Sequence, residues 1–116
     1  PSQTRSFCYI ADAVDMTANL MLSQSLKDSV FHIGNSSEEI SIIDLARRIK
    51  SIMRKDTVLE KGADTPGSVS RRQPNTSRIQ ELLNIAPAWS LEAGLKETVK
   101  WYADYFQSGG KASERI

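Results

Sequence analysis

The sequence has 116 residues, 40% apolar and 25% charged, with fifteen basic side chains against fourteen acidic ones for a net charge of +1. That length suits one domain with a modest core, and the composition excludes a disordered chain. The near-neutral balance excludes a polyelectrolyte, so an anion would have to be bound by a local cluster.

RSFCYI, from Arg5 to Ile10, is β-favouring and bounded by polar residues, which predicts a short strand over residues 6–10. Asp12 then offers an N-cap, and AVDMTANLMLSQSL predicts a helix over 13–26. Val14, Ala18, Met21 and Leu22 fall on one side of it and Met16 and Leu20 on another, a surface wide enough to predict burial between layers. KDS breaks this helix. The near-continuous apolar character of SVFHIGN predicts a parallel strand over 30–33, covered on both faces. Ser41 and Asp44 form a cap, with Ile40 and Leu45 as a hydrophobic staple, for a helix over 42–54. Its stripe is Ile42, Leu45, Ala46, Ile49, Ile52 and Met53, while Arg47, Arg48, Lys50, Arg54 and Lys55 read as a solvated face. TVLEKG predicts a third strand over 58–60, and Pro66-Gly67 marks a turn in the loop that follows. Ser77 and Gln80 open a short helix over 77–84. Ser90 caps a last helix over 91–106, with Leu91, Leu95, Val99, Tyr102 and Phe106 facing inward. Trp89 and Trp101 read as core or interface anchors. The order β-α-β-α-β-α-α predicts an α/β domain over 1–106, and the apolar-poor residues 107–116 predict a flexible tail.

Cys8 and His32 stand alone in their residue types, which excludes an internal disulfide, a cysteine-rich metal site and a His-x-x-x-His zinc site. Both sit in strand-like segments and read as packing residues. The apolar runs are too short to span a bilayer and nothing resembles a signal peptide, so no membrane partner and a cytoplasmic location are expected. The chain starts at Pro1 and enters a strand almost at once, as expected of a piece of something longer.

SVSRRQPNTSRI carries Arg71, Arg72 and Arg78 with no acidic residue among them. A nucleic-acid arm, a solvated loop and a phosphate clamp share this local pattern. Arg71 and Arg72 precede a helix N-terminus, where unpaired N–H groups and the positive dipole end favour an anion and disfavour a lone cation. Arg5, at the mouth of the first strand, can likewise aim a planar fork at a phosphate or stand as a solvated strand-edge arginine. No aromatic residue interleaves the basic helix face, so no nucleic-acid partner is expected. Neither Gly-x-Gly-x-x-Gly nor a Walker loop occurs, and no tyrosine has a lysine four residues later.

Three stretches, taken together in order, carry a family resemblance: QTRSFCYIADAVDM, VFHIGNSSEEISIIDLARRI and SRRQPNTSRIQELLNIAPAWSLEAGLKETVKWY. They resemble the C-terminal third of extended short-chain dehydrogenases, and more narrowly the NAD-dependent epimerase/dehydratase family acting on nucleotide sugars. TRSFCYI is most similar to the UDP-glucuronate decarboxylases. The resemblance implies an α/β fold, the C-terminal substrate-binding part of an extended short-chain dehydrogenase lacking the N-terminal Rossmann domain. That missing domain would hold NAD and the Tyr-x-x-x-Lys pair, so no catalytic residue, cofactor site or metal is expected in this chain. Arg5 matches the family's strand arginine on the substrate diphosphate. Arg72 matches the arginine that reaches the phosphate or sugar in the decarboxylases. Arg71 and Asn35 complete the expected substrate-side set. Thr65 stands where epimerases and dehydratases usually carry an arginine, which argues against a simple epimerase. Asn75 replaces the usual aspartate and can still cap a helix.

The implied parent enzyme oxidises the sugar at C4 with NAD, then eliminates carbon dioxide or water or inverts the centre. On that reading the chain binds the diphosphate of a UDP- or dTDP-sugar and is inert alone. The other reading is a stand-alone, non-catalytic remnant of the fold that forms a homo-oligomer through exposed apolar faces.

Overall fold

The strands of this chain are short and polar, and long-range pairing makes them. In the computed structural model, which describes residues 3–23, 30–63 and 66–110, the elements are β1 (Thr4–Ser6), α1 (Ile10–Leu22), β2 (Glu39–Ser41), α2 (Ile42–Met53), β3 (Arg71–Arg72), α3 (Ser77–Leu83) and α4 (Leu91–Gln107). The sheet runs β2-β1-β3, with β1 antiparallel to β2 and parallel to β3. The fold is mixed α/β, but two expected strands are corrected. Residues 30–33 and 58–60 join no ladder, and Val30 and Val58 stand exposed. EIS and RR become strands instead. RR shows no apolar alternation and EIS alternates over only three residues, about the buried Ile40, so both are selected by β1 between them. β1 itself starts earlier than expected and ends at Ser6, because Phe7 to Tyr9 lead directly into α1.

All four expected helices are present, with boundaries moved by a few residues. α1 begins at Ile10 with Tyr9 as an N-cap that makes no side-chain bond. Asp12 is therefore not the cap. It sits inside the first turn, buried, and accepts from the backbone N–H of Ala88 at 3.0 Å and of Trp89 at 3.1 Å. Only one apolar side of α1 is covered: Met16 is 1% exposed, whereas Met21 and Leu22 are each 82% exposed. The expected burial between two layers does not occur among the described residues. Residues 24–26 of the expected helix, and the KDS break after them, lie outside the described residues.

The Ser41 cap forms as expected, its Oγ accepting from Asp44 N–H at 3.1 Å and donating to Asp44 Oδ2 at 2.6 Å. Because Ser41 also ends β2, strand and helix are joined without a loop. α2 closes on Arg54 at φ 52° and α3 on Asn84 at φ 51°, left-handed positions that stop a helix. α2 packs against α4. The N-terminus of α4 is held twice, by Ser90 Oγ accepting from Ala93 N–H and by the Glu38 carboxylate accepting from Leu91 N–H.

The core is small: among the described residues, Met16, Ile40, Ile79 and Leu91 are the buried apolar side chains. Along α4 the expected inner face holds at Leu91, Leu95 and Val99 but fails further on, where Tyr102 and Phe106 are exposed. Trp89 is half-buried with its ring 4.5 Å from that of Tyr9. Trp101 is half exposed and stacks on Tyr105. Residues 111–116 of the expected tail lie outside the described residues.

Candidate functional site

β1 sets the site, because the parallel ladder places Arg5 opposite Arg72 and Thr4 opposite Arg71. Side chains alternate along a strand, so Arg5, Arg72 and the β2 residue Ile40 share one face of the sheet. Thr4, Ser6, Glu39 and Arg71 share the other. Two arginines far apart in sequence thus stand side by side.

A cleft of about 490 Å³ opens beside them, lined by Arg5, Ser6, Phe31, His32, Ile33, Arg72, Gln73 and Pro74. None of these residues is acidic. Arg5 donates from Nη1 to the Thr4 carbonyl at 2.7 Å, and from Nη2 to the Val69 carbonyl at 2.9 Å and Ser68 Oγ at 3.2 Å. Three of the five guanidinium N–H groups are therefore engaged, which leaves two for a ligand. Arg72 is exposed, and its side chain makes no hydrogen bond or ion pair among the described residues. The hydroxyl of Ser6 is buried without a partner among them.

The remaining wall is fixed by small residues. A side chain at Gly34 would meet Pro74 Cγ at 2.9 Å, so only glycine lets residues 30–34 lie this close to the strand exit. Gln73 Nε2 donates to the Ser36 carbonyl at 2.7 Å, and Ser36 and Thr76 share a hydroxyl contact of 2.9 Å. Asn75 Oδ1 accepts from Ser77 N–H at 3.1 Å as an Asx-turn, but the N-cap of α3 is Thr76, which makes no side-chain cap bond.

Of the residues expected on the substrate side, Arg5 and Arg72 meet in this cleft and the other two lie elsewhere. Arg71 faces the opposite side of the sheet, where its Nε and Nη2 clasp both oxygens of Glu39 at 2.8–3.1 Å. Thr4 Oγ1 donates to the same carboxylate. These two donors, Arg71 first, hold the Glu39 carboxyl at about 2, well below its ordinary 4.5. Asn35 is buried, its Oδ1 accepting from Ser37 N–H and Oγ as an Asx-turn. Thr65 lies outside the described residues.

His32 was expected to be a packing residue; the structure exposes it on the cleft wall. Its signal was masked by apolar neighbours that imitate a buried strand. Cys8 is half-buried in a second, mainly apolar hollow of about 360 Å³ with Tyr9, Trp89 and Leu91. Burial, and then the nearby Asp12, push its thiol pKa up and away from nucleophilic use. The basic face of α2 is exposed, with Arg47 bridged to Asp44 and Lys50 to Asp56. No described helix is long and apolar enough to cross a membrane, and no metal-binding cluster occurs among the described residues.

No family model matches the chain. It is 32% identical over 94 residues to UDP-glucuronic acid decarboxylase 6 of Arabidopsis thaliana, covering 81% of this chain and 26% of that protein. It is also 32% identical over 101 residues to a dTDP-4-dehydro-6-deoxy-D-allose reductase of a Streptomyces species, covering 87% of this chain and 30% of that one. Among solved structures it superposes on UDP-glucose 4-epimerase of Thermotoga maritima, crystallised with UDP-glucose, with a TM-score of 0.82 and 25% identity over 90% of this chain and 33% of that one. UDP-glucuronic acid 4-epimerase of Bacillus cereus, in complex with UDP-glucuronic acid and NAD, gives 0.82 and 26% over 89% and 33%. The chain spans about a quarter to a third of the length of these proteins.

Proposed function

We propose that this chain, which belongs with the C-terminal region of the NAD-dependent epimerase/dehydratase family, is the portion of such an enzyme that binds the diphosphate of a UDP- or dTDP-sugar. One observation carries the reading: Arg72, a cation without a partner among the described residues, stands in register beside Arg5 in a cleft with no acidic wall. An uncompensated guanidinium next to another is unfavourable until an anion arrives, and a diphosphate offers bidentate oxygens to both. Arg5 is pre-oriented by the carbonyls of Thr4 in β1 and of Val69 in the loop before β3, so little side-chain freedom is lost on binding. His32 and Gln73 supply further polar groups along the wall.

NAD does not fit the residues of this chain. Gly34 and Gly94 lie against Pro74 and Tyr9, so neither opens a dinucleotide-binding turn, and no Tyr-x-x-x-Lys pair is present. The cofactor and the chemistry at C4 belong to the rest of the parent, and the chain by itself orients the substrate. Whether decarboxylation, dehydration, reduction or epimerisation follows is set there too.

The test is calorimetric titration of UDP into the chain and its Arg72→Ala variant. Loss of one charge-assisted contact weakens binding by about tenfold or more, while the urea midpoint stays within error because Arg72 is exposed. Equal affinity in the two proteins refutes the clamp. The self-association reading is favoured by a different observation, the exposure of Ile10, Val14, Met21 and Leu22 along α1. A sedimentation mass rising with concentration, abolished by Val14→Glu with Met21→Glu, supports it.

A further inference from the structure

We infer that Glu39 and Arg71 form a strap across the sheet that holds β3 in register on β1 and so positions Arg72, with Arg71 acting on a bound anion only through this strap. The inference rests on reading Arg5 and Arg72 as the anion clamp.

β3 is two residues long and both are exposed. The segment before it, residues 55–63, is exposed and forms no helix or strand. A ladder this short at a sheet edge opens readily unless something outside it holds the strand. Apart from the ladder itself, the ties on the β1 side run to the residues before β3: Thr4 N–H donates to the Ser70 carbonyl, Arg5 Nη2 to the Val69 carbonyl and Ser68 Oγ, and Ser68 Oγ to Gln3 Oε1. The strap adds a tie from the opposite edge. β2 and β3 flank β1, so their backbones lie about 10 Å apart at ordinary strand spacing. An arginine and a glutamate together are long enough to meet over the central strand, and the bidentate contact fixes both direction and register. Thr4 Oγ1, on the strand being crossed, pins the carboxylate midway. The network continues from Arg71 Nη2 to Gln73 Oε1 and from Gln73 Nε2 to the Ser36 carbonyl, tying the strand exit to the cleft wall. Arg71 and Arg72 point to opposite faces, so one locks the strand while the other is left for the ligand.

The test uses the 116-residue chain with two readouts, hydrogen exchange of the amides of residues 70–73 and the affinity for UDP. Glu39→Gln is expected to speed exchange there about three- to tenfold, with the α4 amides unchanged, and to weaken UDP binding by a similar factor. The reversed pair, Glu39→Arg with Arg71→Glu, should restore both to within about twofold of wild type. Unchanged exchange in Glu39→Gln overturns the strap whatever UDP does. Faster exchange with undiminished UDP affinity, while Arg72→Ala still loses UDP, overturns the positioning role and leaves the clamp standing. Equal UDP affinity in wild type and Arg72→Ala removes the clamp and the positioning role with it.

Discussion

Asp12 offers the sharpest test of how this small core is held together. Asp12, in the first turn of α1, is 7% exposed, and its two carboxylate oxygens accept from consecutive backbone amides, Ala88 and Trp89, in the loop that leads into α4. Charge-assisted hydrogen bonds contribute about 1.5–3 kcal/mol each. Ala88 is exposed, so its amide rehydrates once the carboxylate is gone, whereas Trp89 is half-buried and its amide does so poorly. Asp12→Ala should therefore cost about 3 kcal/mol, and Asp12→Asn, which keeps one acceptor and loses the charge, about half as much. With a urea dependence of about 1.5 kcal/mol per molar for a chain of this size, the midpoints fall by about 2 M and 1 M. Trp89 reports the transition directly, its ring lying on Tyr9, and a Trp101→Phe background removes the second indole. Midpoints of both variants within about 0.3 M of the parent would show that the loop is held by other contacts.

Met16→Ala should destabilise the fold by about 2–5 kcal/mol in the same titration, whereas Met21→Ala, one side round the same helix, should stay within about 0.5 kcal/mol; similar losses at both would mean that α1 is covered on both sides. The Glu39 carboxyl, held at about 2 by Arg71 and then Thr4 against an ordinary 4.5, adds stability that is complete above pH 4.5 and disappears as pH falls towards 2. The urea midpoints of wild type and Glu39→Gln should accordingly differ at neutral pH and converge over that window, and a gap independent of pH would count against the ion pair.

The helices were legible because their signals are local. Ser41 with Asp44, and Ser90 before Leu91, cap α2 and α4 as the residue pattern requires, and the apolar stripe of α2 finds α4. The likeness to nucleotide-sugar enzymes was legible for a related reason: three ordered stretches of residue types identify a family without any knowledge of how they pack. Strands were not legible in the same way. VFHIG and TVLEK have strand composition and form none among the described residues, while RR forms a strand with no local signal and EIS with an alternation only three residues long. A ladder is a contract between distant segments, so β propensity decides only when a partner edge is available. Asp12 shows the same limit at one residue, since its sequence neighbours suggest a cap and a loop from the far end of the chain turns it into a buried acceptor. The arginines divide along this line. Their type and their place before a helix start mark an anion site in the sequence. Only the parallel register of β1 and β3 decides that Arg72 stands with Arg5 while Arg71, its immediate neighbour, is turned through the sheet to Glu39, because successive side chains of a strand must leave on opposite faces.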